Sequence, residues 1–264
     1  MAKQRGSLQS IRRAARGRSP RARKSGTRPL TVNVGITGHR ASLLTANLVD
    51  ALEPIVEEVF RALREAGSAI EADPAFPDSL DFRLHTPLAS GADQIAAKSA
   101  HAAGYHVSAI LPFVAEEYRN DFEGAELDEF EGALDAAHEI VALPGARSDA
   151  VGAYVHVGKA LIDAADIMVA IWDGGEGNGP GGTAHVVELA LESSVPVIHI
   201  AIDRDAESIT TRLLVGGKAL EPVVQSLSGT DAYCTLVQDT LKGAGAAQVW
   251  LDRGGIARAN PGTA

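Results

Sequence analysis

The stretch IMVAIWDGG, residues 167–175, decides the fold of this chain. Its first six residues are all apolar, so neither face of a strand formed by them is suited to water. An acid and two glycines follow the apolar run and end it. The pattern therefore predicts a central strand of a parallel sheet, with a loop at its carboxyl end.

Strand-like and helix-like segments alternate on both sides of this strand, from about residue 30. Further strands are predicted at residues 30–36, 80–86, 106–111, 139–143 and 195–202. Helices are predicted around residues 48–63, 92–103, 125–137, 154–162 and 183–193, from apolar residues spaced three and four apart. With no hairpin signal, this succession predicts an α/β fold: a Rossmann-like, doubly wound, mostly parallel sheet in a single domain. Such sheets bind ligands at the carboxyl ends of their strands.

The less regular segments carry weaker predictions. Pro54 lies inside the apolar stripe of the first helix, so the regular helix is predicted to start near it, and Gly67 is predicted to end it. Residues 209–215 and 233–241 are predicted to be helical, and residues 249–251 to add an edge strand. We therefore expect a main domain over residues 29–203 and a helical extension over residues 204–264 that packs on the same domain.

The charge is divided unevenly along the chain. Residues 1–28 hold ten of the 24 Lys and Arg residues and no acid, which leaves 14 bases against 34 acids in the rest. The basic segment cannot bury enough apolar surface to fold alone, so it is expected to be a disordered extension. Binding to nucleic acid or another acidic surface, a transit-like leader and a start codon placed too far upstream are open alternatives. The acidic remainder argues against a nucleic-acid-binding globular domain.

The expected compartment follows from what the sequence contains. Cys234 is the only cysteine, which excludes an intramolecular disulfide and fits a reducing environment. No apolar run approaches the roughly 20 residues of a membrane helix. The sequence therefore predicts a cytoplasmic protein without membrane attachment.

Two predicted strand ends in the first half of the chain have an unusual composition. In GITGHR, residues 35–40, Gly38 permits a close backbone approach, Thr37 offers a hydroxyl and Arg40 can fork onto a phosphate. In PLASGAD, residues 87–93, Ser90 and Gly91 precede a helix whose free N–H groups favour an anion. Ordinary alternatives are a plain turn with a solvated Arg40, and an Asp93 that only stabilises its helix.

Two further loops follow the central strand. Asp173 can accept from ribose hydroxyls and Trp172 can flank a base, although the pair can equally be a turn former and a core residue. In GPGGTA, residues 179–184, glycines followed by Thr183 at a helix start resemble an anion nest with a hydroxyl cap. This loop is the strongest phosphate signal in the sequence.

Residues 116–122, EEYRNDF, mix aromatic and charged side chains just past the third strand. They are typical either of a lid over the site or of a helix entry with a solvated charge cluster. The eight histidines lack metal-site spacing, and only His39 lies in a predicted site loop. We expect neither a metal nor a cofactor, and no nucleophile stands out.

Taken in order, GITGHR, PLASGAD, LPF with EEYRNDF, AIWDG and GPGGTA resemble the SLOG superfamily, named after Smf/DprA and LOG proteins. The resemblance covers about residues 30–202. It implies a Rossmann-like fold that binds nucleotides or nucleotide-derived ligands such as ADP-ribose, in some members as a sensor that signals to an effector protein. The residues that match the ligand-binding loops are Gly35, Thr37, Gly38, Ser90, Gly91, Asp173, Gly181, Gly182 and Thr183. Adjacent to these, His39, Arg40 and Gly174 complete the predicted phosphate-binding set.

LOG proteins cleave the N-glycosidic bond of nucleoside monophosphates, and their motif places a glutamate three residues after the threonine. Here the next acid after Thr183 is Glu188, and five residues turn a helix by about 500°, which aims Glu188 elsewhere. A ligand-binding sensor is therefore the leading prediction. The alternatives are an N-glycosidic-bond hydrolase using Asp93, Asp173 or Glu117 with Arg40 or Arg119, and a DprA-like DNA-binding protein. Homo-oligomerisation stays open.

Overall fold

Eight strands and seven helices are found in a computed structural model that describes residues 29–76, 78–177, 179–216 and 223–242. The strands are β1 (Leu30–Gly38), β2 (Leu80–Thr86), β3 (His106–Leu111), β4 (Glu139–Ala142), β5 (Ile167–Trp172), β6 (Val197–Asp203), β7 (Ser208–Val215) and β8 (Val223–Ser226). The helices are α1 (Ala46–Ala72), α2 (Ala92–Ala102), α3 (Ala115–Tyr118), α4 (Ala125–Asp135), α5 (Ala150–Ala164), α6 (Thr183–Glu192) and α7 (Thr230–Thr240).

All eight strands form one sheet in the order β4-β3-β2-β1-β5-β6-β7-β8. The six strands from β4 to β6 are parallel, and β7 and β8 are antiparallel additions at one edge. The chain winds outward from β1 to β4 and then returns, so that β5 pairs with the other side of β1. The point of reversal lies between β1 and β5, which is where a doubly wound sheet opens a crevice for a ligand. The Rossmann-like, mostly parallel α/β fold is thereby confirmed.

The central strand β5 is buried on both faces, as its sequence predicts. Val169 and Ile171 belong to the large core under α1, α2 and α7, and Met168 and Ala170 belong to a smaller core under α6. Alternate side chains of one strand thus serve two layers of helices. This placement holds the carboxyl end of β5 rigidly beside that of β1.

The first helix runs past both of its predicted limits. It begins at Ala46, where the Thr45 hydroxyl accepts the Leu48 N–H, and continues through Pro54. Pro54 is exposed, so water can satisfy the carbonyl that its missing N–H leaves unpaired. Gly67 does not end the helix either. It lies against β2, where a Cβ would approach Phe82 Cε2 to 2.5 Å, so its role is close packing.

The helical extension predicted for residues 204–264 is wrong for residues 209–215, which lie in β7. β7 forms a hairpin with β6, in the register Val197↔Leu214 to Asp203↔Ser208, although the sequence predicted no hairpin. Asp203 makes the turn, since its Oδ1 accepts from Asp205 and Ala206 N–H groups at 3.0 and 2.9 Å. The predicted helix at residues 233–241 is present as α7, which packs on α1. The edge strand predicted at residues 249–251 lies outside the described residues.

Within the described ranges, none of the helices is both long and apolar enough to cross a membrane.

Candidate functional site

A cavity of about 510 Å³ opens at the carboxyl ends of β1 and β5, at the reversal point of the sheet. Side chains and backbone of the GITGHR, WDGG and GPGGTA loops line it, together with α3 and α5. The predicted site residues that line it are Thr37, Gly38, His39, Arg40, Asp93, Asp173, Gly181, Gly182 and Thr183. The fold therefore brings together three of the four predicted loops and, from the fourth, Pro87, Ala89 and Asp93.

His39 ties the neighbouring elements together. Its N–H donates to the Ile171 carbonyl at 2.9 Å, and its carbonyl accepts from Ala92 N–H at 3.0 Å. Its side chain is buried, and Nε2 accepts from Asp173 N–H at 3.2 Å. Burial lowers the pKa of His39, which keeps the ring neutral and able to accept this bond. His39 thus fixes the relative positions of β1, α2 and the loop after β5.

Arg40 is a cation without an ion-pair partner among the residues that the structure describes. Its guanidinium lies over the Tyr154 ring, 5.7 Å from the centroid, and it lines the cavity. Burial works to lower the pKa of Arg40, but the surrounding Tyr118, Tyr154, Asp93 and Asp121 raise it overall. The guanidinium is thus charged, partly desolvated and free to accept an anion.

The N-terminus of α6 also lines the cavity. Gly181 packs against α5, since a Cβ on it would lie 3.0 Å from Tyr154 Cβ, and its φ of 82° suits glycine. Gly182 caps the helix without a side-chain bond. The N–H groups of Thr183 and Ala184 donate to no group in the described part of the chain. They belong to the first turn of α6, where the helix dipole favours negative charge.

Asp173 is held by several donors. Its carboxylate accepts from Gly175 N–H at 3.0 Å and pairs with the Arg204 guanidinium, and its Oδ2 lies 3.4 Å from His39 Nε2. Partial burial works against ionisation, but the Gly175 N–H and the Arg204 guanidinium help to lower the pKa of Asp173 overall. Asp173 is therefore an ionised hydrogen-bond acceptor at the cavity wall, unsuited to donating a proton.

Trp172 lines the cavity with its ring stacked on His199, at 5.3 Å between centroids. His199 is fully buried, and its Nδ1 accepts from Arg212 Nε at 3.2 Å. Its Nε2 consequently carries the proton and donates to the Trp172 carbonyl at 2.9 Å. Two strands, β6 and β7, thereby hold the indole in place.

Asp93 lies on the first turn of α2 and is only 4% exposed. Its Oδ2 accepts from Ala89 N–H at 3.2 Å. Burial raises the pKa of Asp93 to about 7, although the charge of Arg40 and the Ala89 N–H act in the opposite direction. The cavity thus holds a carboxyl group that titrates near neutral pH.

The segment at residues 116–122 forms a packed wall of the cavity. Tyr118 and Phe122 are buried against Phe130, and Tyr118 lines the cavity. Asp121 accepts from Arg147 Nη1 at 2.6 Å and from the Tyr154 hydroxyl. The helix entry of the second alternative is present as α3, with Glu116 exposed, but Tyr118 and Phe122 are buried. A lid over the site stays a prediction.

Tyr154 and Arg204 line the cavity without having been singled out by the sequence reasoning. Tyr154 appeared only as part of an apolar helix stripe, and Arg204 lies in a turn whose hairpin was not predicted. The aromatic and acidic pattern around Tyr118 was the one signal of this wall.

Several predicted residues lie outside the cavity. Gly35 packs on Met168, whose Sδ would lie 2.3 Å from a Cβ. Gly91 packs on the loop after β1, Ser90 is buried, and Gly174 is exposed. Arg119 pairs with Glu131 at 3.0 Å and Glu116 at 4.0 Å. Glu117 does not line the cavity. Ligand contacts by these residues stay predictions. Glu188, which its helical spacing predicts to point elsewhere, is exposed and does not line the cavity.

Two other features bear on the search for a site. A larger cavity, about 610 Å³, lies between α1, α2 and α4 and is lined mainly by Ala, Gly and hydrocarbon side-chain portions; among the predicted residues only Gly91 reaches it. No group of three or more His, Cys, Asp or Glu side chains in the described ranges could hold a metal ion.

The sheet and the cavity define a Rossmann-like α/β protein with a crevice at the sheet's reversal point. The Rossmann-like fold is the one that the SLOG resemblance implies. No family model matches the sequence, and a comparison with curated proteins finds no match.

Solved structures give distant matches. The molybdenum cofactor carrier protein of Chlamydomonas reinhardtii is 18% identical over 80% of this chain and 98% of that one, with a TM-score of 0.42. DNA processing protein A of Streptococcus pneumoniae is 14% identical over 66% of this chain, with a TM-score of 0.42, and the match spans about half, 52%, of that protein. The structural genomics target TM1055 is 18% identical over 63% of this chain and 72% of that one, with a TM-score of 0.39.

Proposed function

We propose that this cavity binds a nucleotide or a nucleotide-derived ligand, such as ADP-ribose, NAD or a nucleoside monophosphate, and that the protein acts as a ligand sensor. The carrying observation is that Arg40, a cation without an ion-pair partner in the described ranges, lines the same cavity as the free N–H groups of α6. A guanidinium and a helix N-terminus on one cavity are complementary to a phosphate group.

The rest of the cavity suits the remainder of such a ligand. Asp173 is an ionised acceptor for ribose hydroxyls, and the fixed indole of Trp172 offers an apolar surface to a base. Leu43, Val157 and Leu161 add apolar wall. A volume of about 510 Å³ falls within the range of roughly 300–1,000 Å³ usual for small-molecule sites. As a sensor, the protein would pass ligand binding to an effector protein.

Isothermal titration with AMP, ADP-ribose and NAD tests this proposal. We expect at least one of them to bind, and Arg40→Ala to weaken that binding roughly ten- to a hundredfold, because a charged hydrogen bond contributes about 1.5–3 kcal/mol. Arg119→Ala is the matched control, since Arg119 pairs with glutamates outside the cavity. No binding by folded protein, or equal losses in the two variants, would contradict the proposal.

One observation favours a second function, hydrolysis of an N-glycosidic bond. Asp93 is a buried carboxyl in the cavity with a pKa of about 7, the property of a group that exchanges protons at neutral pH. Incubation with AMP and NAD, followed by chromatography for free adenine or nicotinamide, tests it. Absence of any release by the folded protein would remove this function, whereas release that persists unchanged in both Asp93→Asn and Asp173→Asn would show that neither carboxylate is the catalytic group.

A further inference from the structure

We propose that Asp93 binds the ligand as a neutral carboxylic acid and donates its proton as a hydrogen bond to an anionic oxygen held by Arg40, so that one proton is taken up with the ligand. This inference rests on the proposed function and specifies the protonation state of Asp93 when the anion binds.

The position of Asp93 gives the first reason. It is 4% exposed and lines the cavity. Among the described residues only Ala89 donates to its carboxyl, at Oδ2, which leaves Oδ1 without a donor. A buried carboxylate needs several donors to remain ionised, whereas a carboxylic acid needs one acceptor for its O–H.

The charges around Asp93 give the second reason. Arg40, from the loop after β1, is the cation that most influences it. From α3 and α5, Tyr118 and Tyr154 supply hydroxyl groups that burial keeps protonated, since burial raises the pKa of both. Asp121, which acts on Arg40 from the turn after α3, is a negative charge already paired with the Arg147 guanidinium. An anion that pairs with the Arg40 guanidinium therefore lies near Asp93 in a largely desolvated space. Among the described residues named here, no second unpaired cation compensates the two negative charges.

Two negative groups around one guanidinium cannot both stay ionised at low cost. Burial raises the pKa of Asp93 to about 7, so a substantial fraction of this carboxyl is protonated at neutral pH before an anion binds. A bound anion raises the pKa of Asp93 further, because it neutralises Arg40 and adds repulsion. The proton then lies between an Asp93 carboxyl oxygen and the ligand's anionic oxygen. A charge-assisted hydrogen bond thereby replaces the repulsion between two negative groups. Affinity consequently falls as the pH rises above about 7, up to tenfold per pH unit.

Calorimetric titration at about pH 6, 7.5 and 9 tests this coupling, with ADP-ribose and inorganic sulfate as probes because neither changes its charge over this range. Titrations at each pH are repeated in buffers of different ionisation enthalpy, which gives the number of protons taken up. For the wild-type protein we expect up to one proton taken up near pH 7.5 and weaker binding at pH 9 than at pH 6.

Asp93→Asn imitates the neutral carboxyl with an amide that also donates. This variant should bind the probes with nearly the same affinity at all three pH values and without proton uptake. Because it retains His39, that result would exclude His39 as the group that takes up the proton. Binding by the wild-type protein without proton uptake, or uptake retained in Asp93→Asn, would overturn the inference and leave the proposed function standing. Failure of both probes, and of AMP and NAD, to bind would overturn both. The proton count is made on the wild-type protein and so does not depend on whether a variant folds.

Discussion

At the scale of single residues, the glycines of the predicted phosphate loops divide into two kinds. Gly181 and Gly182 line the cavity, although Gly181 also packs against α5, whereas Gly91 lies outside this cavity and is required by packing alone. A Cβ on Gly91 would lie 2.5 Å from Ala41 N and 2.7 Å from the His39 carbonyl oxygen, at a φ of 88°. Sequence alone cannot separate these roles, because a close approach of backbone to ligand and one of backbone to backbone need the same residue.

Gly91→Ala should destabilise the protein by about 3 kcal/mol or more, because strain at positive φ and overpacking add. Gly104→Ala is the matched control. Its φ of 81° is similar but a Cβ there meets nothing within 4 Å, so a loss of only about 1–2 kcal/mol is expected. Denaturant unfolding of both variants measures the difference. Equal losses would show that the loop after β1 does not press on Gly91.

Asp93 links the site to stability. Its pKa lies near 3.8 in the unfolded chain and at about 7 in the folded protein, so the folded state holds this proton more tightly. Stability from this group is complete below about pH 3.8 and is lost as the pH rises through about 7. By linkage the loss amounts to at most ~4 kcal/mol.

The Asp93→Asn variant cannot ionise and escapes this loss. We expect its free energy of unfolding, relative to that of the wild-type protein, to increase by a few kcal/mol between about pH 4.5 and pH 8. Denaturant titrations at the two pH values measure it. A pH-independent difference would show that the carboxyl is not desolvated.

At the scale of elements, the sequence predicted the parallel part of the sheet closely. The bounds of β3 and β5 are those expected, because apolar runs bounded by turns signal buried strands directly. The antiparallel edge was missed because Ile209, Leu213 and Leu214 also fit a helical spacing. Pairing with β6 over seven residues decides their conformation, and such pairing is not written in local sequence.

The candidate site was predicted in outline. Strand-end loops could be recognised from Gly38, Asp173 and Thr183, since a parallel sheet gathers them at one edge. Tyr154 and Arg204 could not be found, because they reach the cavity only through the packing of α5 on Gly181 and the turn of the β6–β7 hairpin.

The helix α1 begins before Pro54, near which the sequence predicted its start, and Thr45 caps this earlier beginning. Thr45→Ala should cost about 1 kcal/mol in unfolding free energy, because the Leu48 N–H loses its acceptor. Thr45→Ser keeps a hydroxyl and should cost much less. If urea unfolding gave the same free energy for Thr45→Ala and the wild-type protein, the Thr45 cap would not stabilise the helix. The stable part of α1 would then begin nearer Pro54.

At the scale of the whole molecule, the division of charge separates two binding behaviours. The ten basic residues of the first 28 are followed by a remainder with 20 more acids than bases. By net charge, attraction to a polyanion is therefore expected from the first part.

Deleting residues 1–28 should therefore abolish any DNA binding measured by fluorescence anisotropy, and binding by the full chain should weaken steeply with salt. Nucleotide affinity should be unchanged, since the cavity is lined by residues 37–204. If DNA binding persisted at physiological salt after the deletion, the part of the chain after residue 28 would itself bind nucleic acid, contrary to this prediction.

A crystal structure of the protein with bound AMP tests the central claim most directly. The account predicts the phosphate between the Arg40 guanidinium and the N–H groups of Thr183 and Ala184, with Asp93 within hydrogen-bond distance of a phosphate oxygen. A phosphate bound elsewhere, for instance in the larger cavity between α1, α2 and α4, would contradict this account.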